Sequence, residues 1–207
     1  EVSLVYGPIH GPEGSMLQKV EGHGGIEAIE TPNLVRQVAP IRDMRCLGDL
    51  TRLIRQVNPD VVHTHSSKAG ILGRQAARKA GTKAVVHTIH GLPFHPYQSR
   101  IKNRVYIGLE SRAAKHCDAI VCVADAMTEQ ALAQGVGRRE QYTTIRSGMD
   151  TESFLNERTD RNEWRTRFGF TEDDFVVGTV ARLAELKWHD DLLDALCDDL
   201  RQDERLK

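Results

Sequence analysis

The sequence predicts an α/β fold: a doubly wound parallel sheet followed by the first strand–helix unit of a second such domain. Three observations predict it. Short apolar runs rich in β-branched residues recur about every 25 residues, helical segments lie between them, and the pattern restarts after a charged stretch.

The predicted strands are "VSLVY" (2–6), "DVVHTH" (60–65), "KAVVHTIH" (83–90), "DAIVCVA" (118–124), "YTTIRS" (142–147) and "FVVGTVAR" (175–182). Their near-continuous Val and Ile content is that of strands covered on both faces. Between them, Leu50, Leu53, Ile54 and Val57 share a helix face that Asn58-Pro59 ends. Ser66 and Ser67 are placed to cap a second helix, and Gly81 to close it. A third helix carries Ile101, Val105 and Leu109 at i, i+4, i+8, and a fourth opens on Asp125 and closes on Gly135.

Residues 150–172 are charged, rich in turn signals and hold one short amphipathic helix with Trp164 and Phe168. Beyond them come the strand 175–182 and a helix with Leu192, Leu196 and Leu200 on one face. One strand and one helix cannot close a core. The expected organisation is therefore a domain over 1–152 that lacks its own first strand, and a linker plus truncated second domain over 153–207.

Lys plus Arg (28) nearly balance Asp plus Glu (29), which argues against a dedicated nucleic-acid binder. No apolar run approaches the roughly 18 residues of a membrane span. The four cysteines form no CxxC pair, so free thiols in a reducing compartment are expected.

Ligands of open parallel sheets sit outside the strands' carboxyl ends. Those ends carry "HTH" (63–65), "HTIHG" (87–91), "RSGMD" (146–150) and Arg182. Such a rim suits a polar ligand with hydroxyls and phosphate. His63 and His65 share a strand face and, with His87 or His90, could begin a hydrolytic metal site. The third, carboxylate ligand is missing from the strand ends. His87 and His90, three apart, face opposite ways, leaving His90 beside Gly91 as the working histidine and His65 as a second rim residue. Glycine at 91 allows close approach of ligand or backbone. Arg182 and Lys187, ahead of a helix N-terminus, suit a diphosphate.

Together "LVYGPIHGPEGS", "NPDVVHTHSSKAGILGRQAARKAG", "VVHTIHGLPFHPYQS", "IRSGMDTESF" and "VGTVARLAELKWHDDLLDA" resemble the retaining glycosyltransferases of family 4, in particular those that build capsular and exopolysaccharides. The resemblance implies the GT-B fold, two Rossmann-like domains with the acceptor on the first and a nucleotide-sugar donor on the second. It places His90 against the transferring sugar, Arg182 and Lys187 on the donor diphosphate, and His65, Gly91, Ser147 and Gly148 among the substrate contacts. It implies no metal or other cofactor, a glycan or lipid-linked acceptor, and a cytoplasmic enzyme with room for peripheral association at the inner face of the membrane. Trp188 stands where the family usually has glycine. Two alternatives remain open from the residues alone: a metal-dependent hydrolase built on His63, His65 and His90, and a non-catalytic sugar- or nucleotide-binding module.

Overall fold

A computed structural model of the chain describes residues 1–8, 14–156, 160–183, 187–203 and 205–206. The chain divides into two compact units, Glu1–Gly148 and Met149–Lys207.

The first unit alternates strands and helices: β1 (Val2–Tyr6), α1 (Leu17–Glu21), β2 (Ile26–Glu30), α2 (Pro40–Val57), β3 (Val61–His65), α3 (Ser67–Ala80), β4 (Ala84–Ile89), α4 (Arg100–Ala114), β5 (Ala119–Cys122), α5 (Asp125–Ala133) and β6 (Tyr142–Thr144). All strand pairs are parallel, in two sheets ordered β1-β2 and β3-β4-β5-β6. A helical crossover between sequential parallel strands is what this spacing demands.

Several local signals act as the sequence suggests. Pro40 opens α2 at a position where its missing N–H costs nothing. Asn58 and Gly81 close α2 and α3 in the left-handed region, and Ser99 Oγ accepts from Lys102 N at the start of α4. Ser66 departs from expectation: it precedes α3 but makes no side-chain cap. β2 was not anticipated; its Ile26, Ala28 and Ile29 form too short an apolar run to stand out beside "EGHGG".

Two cores flank the sheets. Cys46, Leu50 and Ala76 pack with Val5, Leu47, Ile54 and Leu72, which joins α2, α3 and β1. Ile89, Phe94, Ala114, Ile120, Cys122 and Val136 form the other, beneath α4 and α5. Between them lies an ion pair, Arg74 Nη2 to Glu110 Oε2 at 2.6 Å, with both side chains buried. It ties α3 to α4, and Arg74 Nε also donates to the Gly70 carbonyl. All four cysteines are free thiols.

The second unit holds α6 (Glu152–Leu155), α7 (Arg161–Arg167) and α8 (His189–Gln202). The strand expected over 175–182 does not form: only Phe175 bridges, to Leu206, and Val180 is fully exposed. A strand draws its hydrogen bonds from a neighbour, and among the described residues of this unit no neighbouring strand is present. Beyond Phe175 the apolar run therefore stays outside any strand, whereas α8, whose bonds are internal, forms without help.

Candidate active site

The carboxyl ends of β3 and β4 bring three histidines together. β3 and β4 are paired in register His63↔Val86 and His65↔Thr88, which sets His90 just beyond the strand beside His65. His65 Nδ1 lies 3.1 Å from His90 Nε2, with ring centroids 5.4 Å apart in a stacked arrangement. His63 and His65, two apart on one strand face, have ring centroids 4.3 Å apart, and His63 Nε2 is 2.7 Å from Thr88 Oγ1. His65 and His90 can hydrogen-bond only if one ring donates and the other accepts. Each therefore fixes the tautomer and tilt of its partner.

Burial and the adjoining rings depress the proton affinity of His63 and His65, burial being the larger cause in each. A neutral, exposed imidazole pair results, suited to hydrogen bonding with a hydroxylated ligand.

His87 faces the other way, as alternation along the strand requires. It is 2% exposed, its Nδ1 lying 3.1 Å from the Thr64 carbonyl and 2.9 Å from Thr64 Oγ1. Burial, and then the Arg74 charge, push its pKa down to about 3. This histidine is a neutral part of the α3–sheet packing. Gly70 makes it fit: a Cβ there would lie 2.4 Å from His87 Cε1. His95 lies in the loop before α4 and is tied to that helix through Asn103, which donates to the His95 carbonyl at 2.8 Å.

Gly91 is exposed, and no other atom lies within 4 Å of where its Cβ would be, so the space beside His90 is open. Ser147 and Gly148 are exposed, beyond β6. β6 is two strands from β4 in a parallel sheet, so Ser147 and Gly148 follow the carboxyl end of β6 as His90 follows that of β4. Nearby Arg146 pairs with Asp125 at 3.0 Å.

In the second unit, Arg182 and Lys187 are both exposed. The Arg182 carbonyl is 2.9 Å from His189 Nε2, which links the loop to the first residue of α8. Trp188 takes φ 56°, a left-handed conformation suited to glycine, directly before α8.

Two features of the rim escaped the sequence reading. Ser66, between His65 and α3, has φ 60° and ψ 161°, a region nearly restricted to glycine. Lys68, in the first turn of α3, pairs with Asp43 at 2.6 Å and donates to the Gln37 carbonyl. It thereby ties α3 to the loop before α2. No local motif signals either, because both depend on elements distant in sequence.

Among the described residues, no group of three or more His, Cys, Asp or Glu side chains is arranged to hold a metal. The histidine trio contains no carboxylate, which the hydrolase alternative needs, and neither alternative gains support from the relatives described next.

A parallel α/β sheet with polar side chains at the carboxyl ends of its strands has the doubly wound, Rossmann-like architecture that places ligands at that rim. The chain belongs to glycosyltransferase family 4, whose family model matches residues 2–153. It is 35% identical over 158 residues to an Escherichia coli UDP-Gal:alpha-D-GlcNAc-diphosphoundecaprenol alpha-1,3-galactosyltransferase, covering 76% of this chain and 41% of that protein. It is 22% identical over 175 residues to the Staphylococcus aureus capsular polysaccharide biosynthesis glycosyltransferase CapM, covering 79% of this chain and 45% of CapM. The chain thus spans less than half the length of these relatives. Anabaena HepE, solved in complex with UDP and glucose, shares the fold with a TM-score of 0.70 at 20% identity, over 98% of this chain and 51% of HepE.

Proposed function

We propose that the protein transfers a sugar, with retention of anomeric configuration, from a nucleotide sugar to a glycan acceptor carried on a lipid diphosphate. In this reading residues 1–152 form the acceptor-side domain, and 153–207 open the domain that binds the donor. The observation that carries the proposal is the family match over 2–153, within which His65 and His90 stand hydrogen-bonded on an open rim. The Escherichia coli relative, named for a UDP-galactose donor and a diphosphoundecaprenol acceptor, supports the substrate classes. Polysaccharide assembly and a cytoplasmic location at the inner face of the membrane follow from that acceptor class.

Each residue has a chemical task. His90 donates a hydrogen bond to a hydroxyl of the sugar as it leaves the donor, and His65 holds the ring that donates. Arg182 and Lys187 neutralise the departing diphosphate, whose charge rises as the glycosidic bond breaks. Ser147 and Gly148, with Gly91, line the space for substrate. The leaving phosphate itself takes the acceptor proton, so no protein base or metal is assigned.

The test is made on the full-length protein with UDP-sugars and a short-chain lipid-diphosphate acceptor. His90→Ala should lower kcat about 10- to 100-fold, the worth of one hydrogen bond made in the transition state, and leave nucleotide affinity within about twofold. Arg182→Ala should instead weaken UDP binding about tenfold or more by calorimetry. An unchanged Kd removes Arg182 from the diphosphate site. Undiminished turnover in His90→Ala removes His90 from the reaction.

A further inference from the structure

Helix α4 carries an apolar stripe that the core does not use. Its buried face is built from Glu110, Ala113 and Ala114, with Tyr106 and Ile107 against the core beneath. The periodic set Ile101, Val105 and Leu109 points outward instead, at 78%, 55% and 42% exposure. Tyr97, just before the helix, is 67% exposed. The stripe is bordered by Arg100, Lys102, Arg104, Arg112 and Lys115, all exposed. Between residues 95 and 117 the only acidic residue is Glu110, which is buried against Arg74. The outward face is therefore apolar along its middle and purely cationic along its flanks.

We infer that this face of α4 is a docking surface for an anionic phospholipid bilayer. A stripe of aliphatic side chains between Lys and Arg, with an aromatic at one end, is the composition of a helix that lies in a lipid interface. The aliphatic tips enter the acyl boundary, and the long basic stems reach the phosphates. At 15 residues and this charge, α4 is too short and too polar to span. A protein partner fits less well, since interface centres are depleted in lysine and an uncompensated run of cations would need an acidic counterpart.

Placement gives the surface a use. α4 follows β4 through the loop 91–99, so its first turn stands at the carboxyl end of the sheet, the end that carries His65 and His90. That loop is pinned to the helix, with Gln98 Nε2 donating to the Pro93 carbonyl at 3.2 Å and to Asn103 Oδ1 at 2.8 Å. A bilayer against Tyr97, Arg100, Ile101 and Arg104 would thus lie at the same end of the domain as the histidine rim. This rests on the lipid-linked acceptor proposed above and assigns the surface that meets the lipid.

The test is co-sedimentation of the full-length protein with vesicles of phosphatidylglycerol and phosphatidylcholine, against phosphatidylcholine alone. Binding to the anionic vesicles, weakened by added salt, is expected. Arg100→Gln with Arg104→Gln should weaken partitioning about 25-fold, about fivefold per cation removed. Ile101→Ser with Val105→Ser should weaken it also, because these side chains supply the inserted area. All four positions are exposed, so the variants should keep the wild-type unfolding midpoint. Equal binding of wild type and variants, or equal binding to both vesicle types, overturns the assignment. So does a wild-type dimer in solution that either double variant converts to monomer, which would make the face an interface between copies. Transfer to a short, water-soluble acceptor should be unchanged in the variants. Vesicle binding without transfer to any acceptor by the wild type would reject the transferase reading and leave the surface standing.

Discussion

Ser66 follows His65 directly and holds a conformation that costs an L-residue about 1–3 kcal/mol. The strain joins a strand that ends on the ligand rim to a helix that must turn away from it. Ser66→Gly removes the Cβ conflict and adds some unfolded-state entropy, so a net gain of about 1 kcal/mol is expected in the urea midpoint. A loss of stability would show that the Ser66 hydroxyl holds the turn. At this scale the sequence was informative where side-chain direction follows from strand alternation. The opposed settings of His87 and His90 are read from three positions of spacing alone. Ser66 was not legible, because a serine before a helix reads as a cap by local rules. Its actual φ and ψ are imposed by where β3 and α3 lie.

The contact of α3 with the sheet rests on two glycines. A Cβ on Gly70 would meet His87 Cε1 at 2.4 Å, and one on Gly73 would meet Thr64 Cγ2 at 2.7 Å. Gly70→Ala should therefore cost about 1–3 kcal/mol, since neither the buried ring nor the helix can yield freely. Gly48, inside α2 with nothing within 4 Å, makes the control: the same substitution there should add up to about 1 kcal/mol through helix propensity. Thermal unfolding of the two variants reads opposite signs; equal shifts would mean that backbone entropy alone decides. Helices were legible as elements because an apolar repeat of 3.6 is a strong local signal. The facing of α4 was not. Its most hydrophobic stripe points outward, because Arg74 draws Glu110 inward and small alanines let the helix sit close to the sheet. The strand over 175–182 illustrates the converse, since β-branched composition supplies propensity but not a neighbour to pair with.

Over the whole molecule, the repeated strand–helix pattern was enough to read a parallel sheet, because a crossover between parallel strands has one favoured hand; the family was legible only in particular stretches such as "NPDVVHTHSSKAGILGRQAARKAG". Acid sensitivity is also a property of the whole fold. His87 has a folded pKa of about 3 against about 6.5 when unfolded, so below pH 6.5 the unfolded chain binds the extra proton. Its neutral, packed state supports folding fully above pH 6.5, and that support is lost as the pH falls toward 3. The loss should run at about 1.4 kcal/mol per pH unit in this window. Urea midpoints measured from pH 7 to pH 4 should fall steeply in wild type and less so in His87→Gln. Parallel pH profiles would assign the acid response to other groups.

The division of the strands into β1-β2 and β3-β4-β5-β6 bears on how the chain behaves in a tube. Among the described residues, β1, β2, β3 and β6 each have one neighbour, so each carries along its other side a row of amides and carbonyls that no described strand pairs. Such rows are templates for any extended segment that drifts past. Cross-seeding between molecules, strand on strand, is the hazard that such edges carry during concentration or storage. A handling regime of dilution and low temperature, or a short β-forming peptide added as a stopper, addresses that hazard at its source.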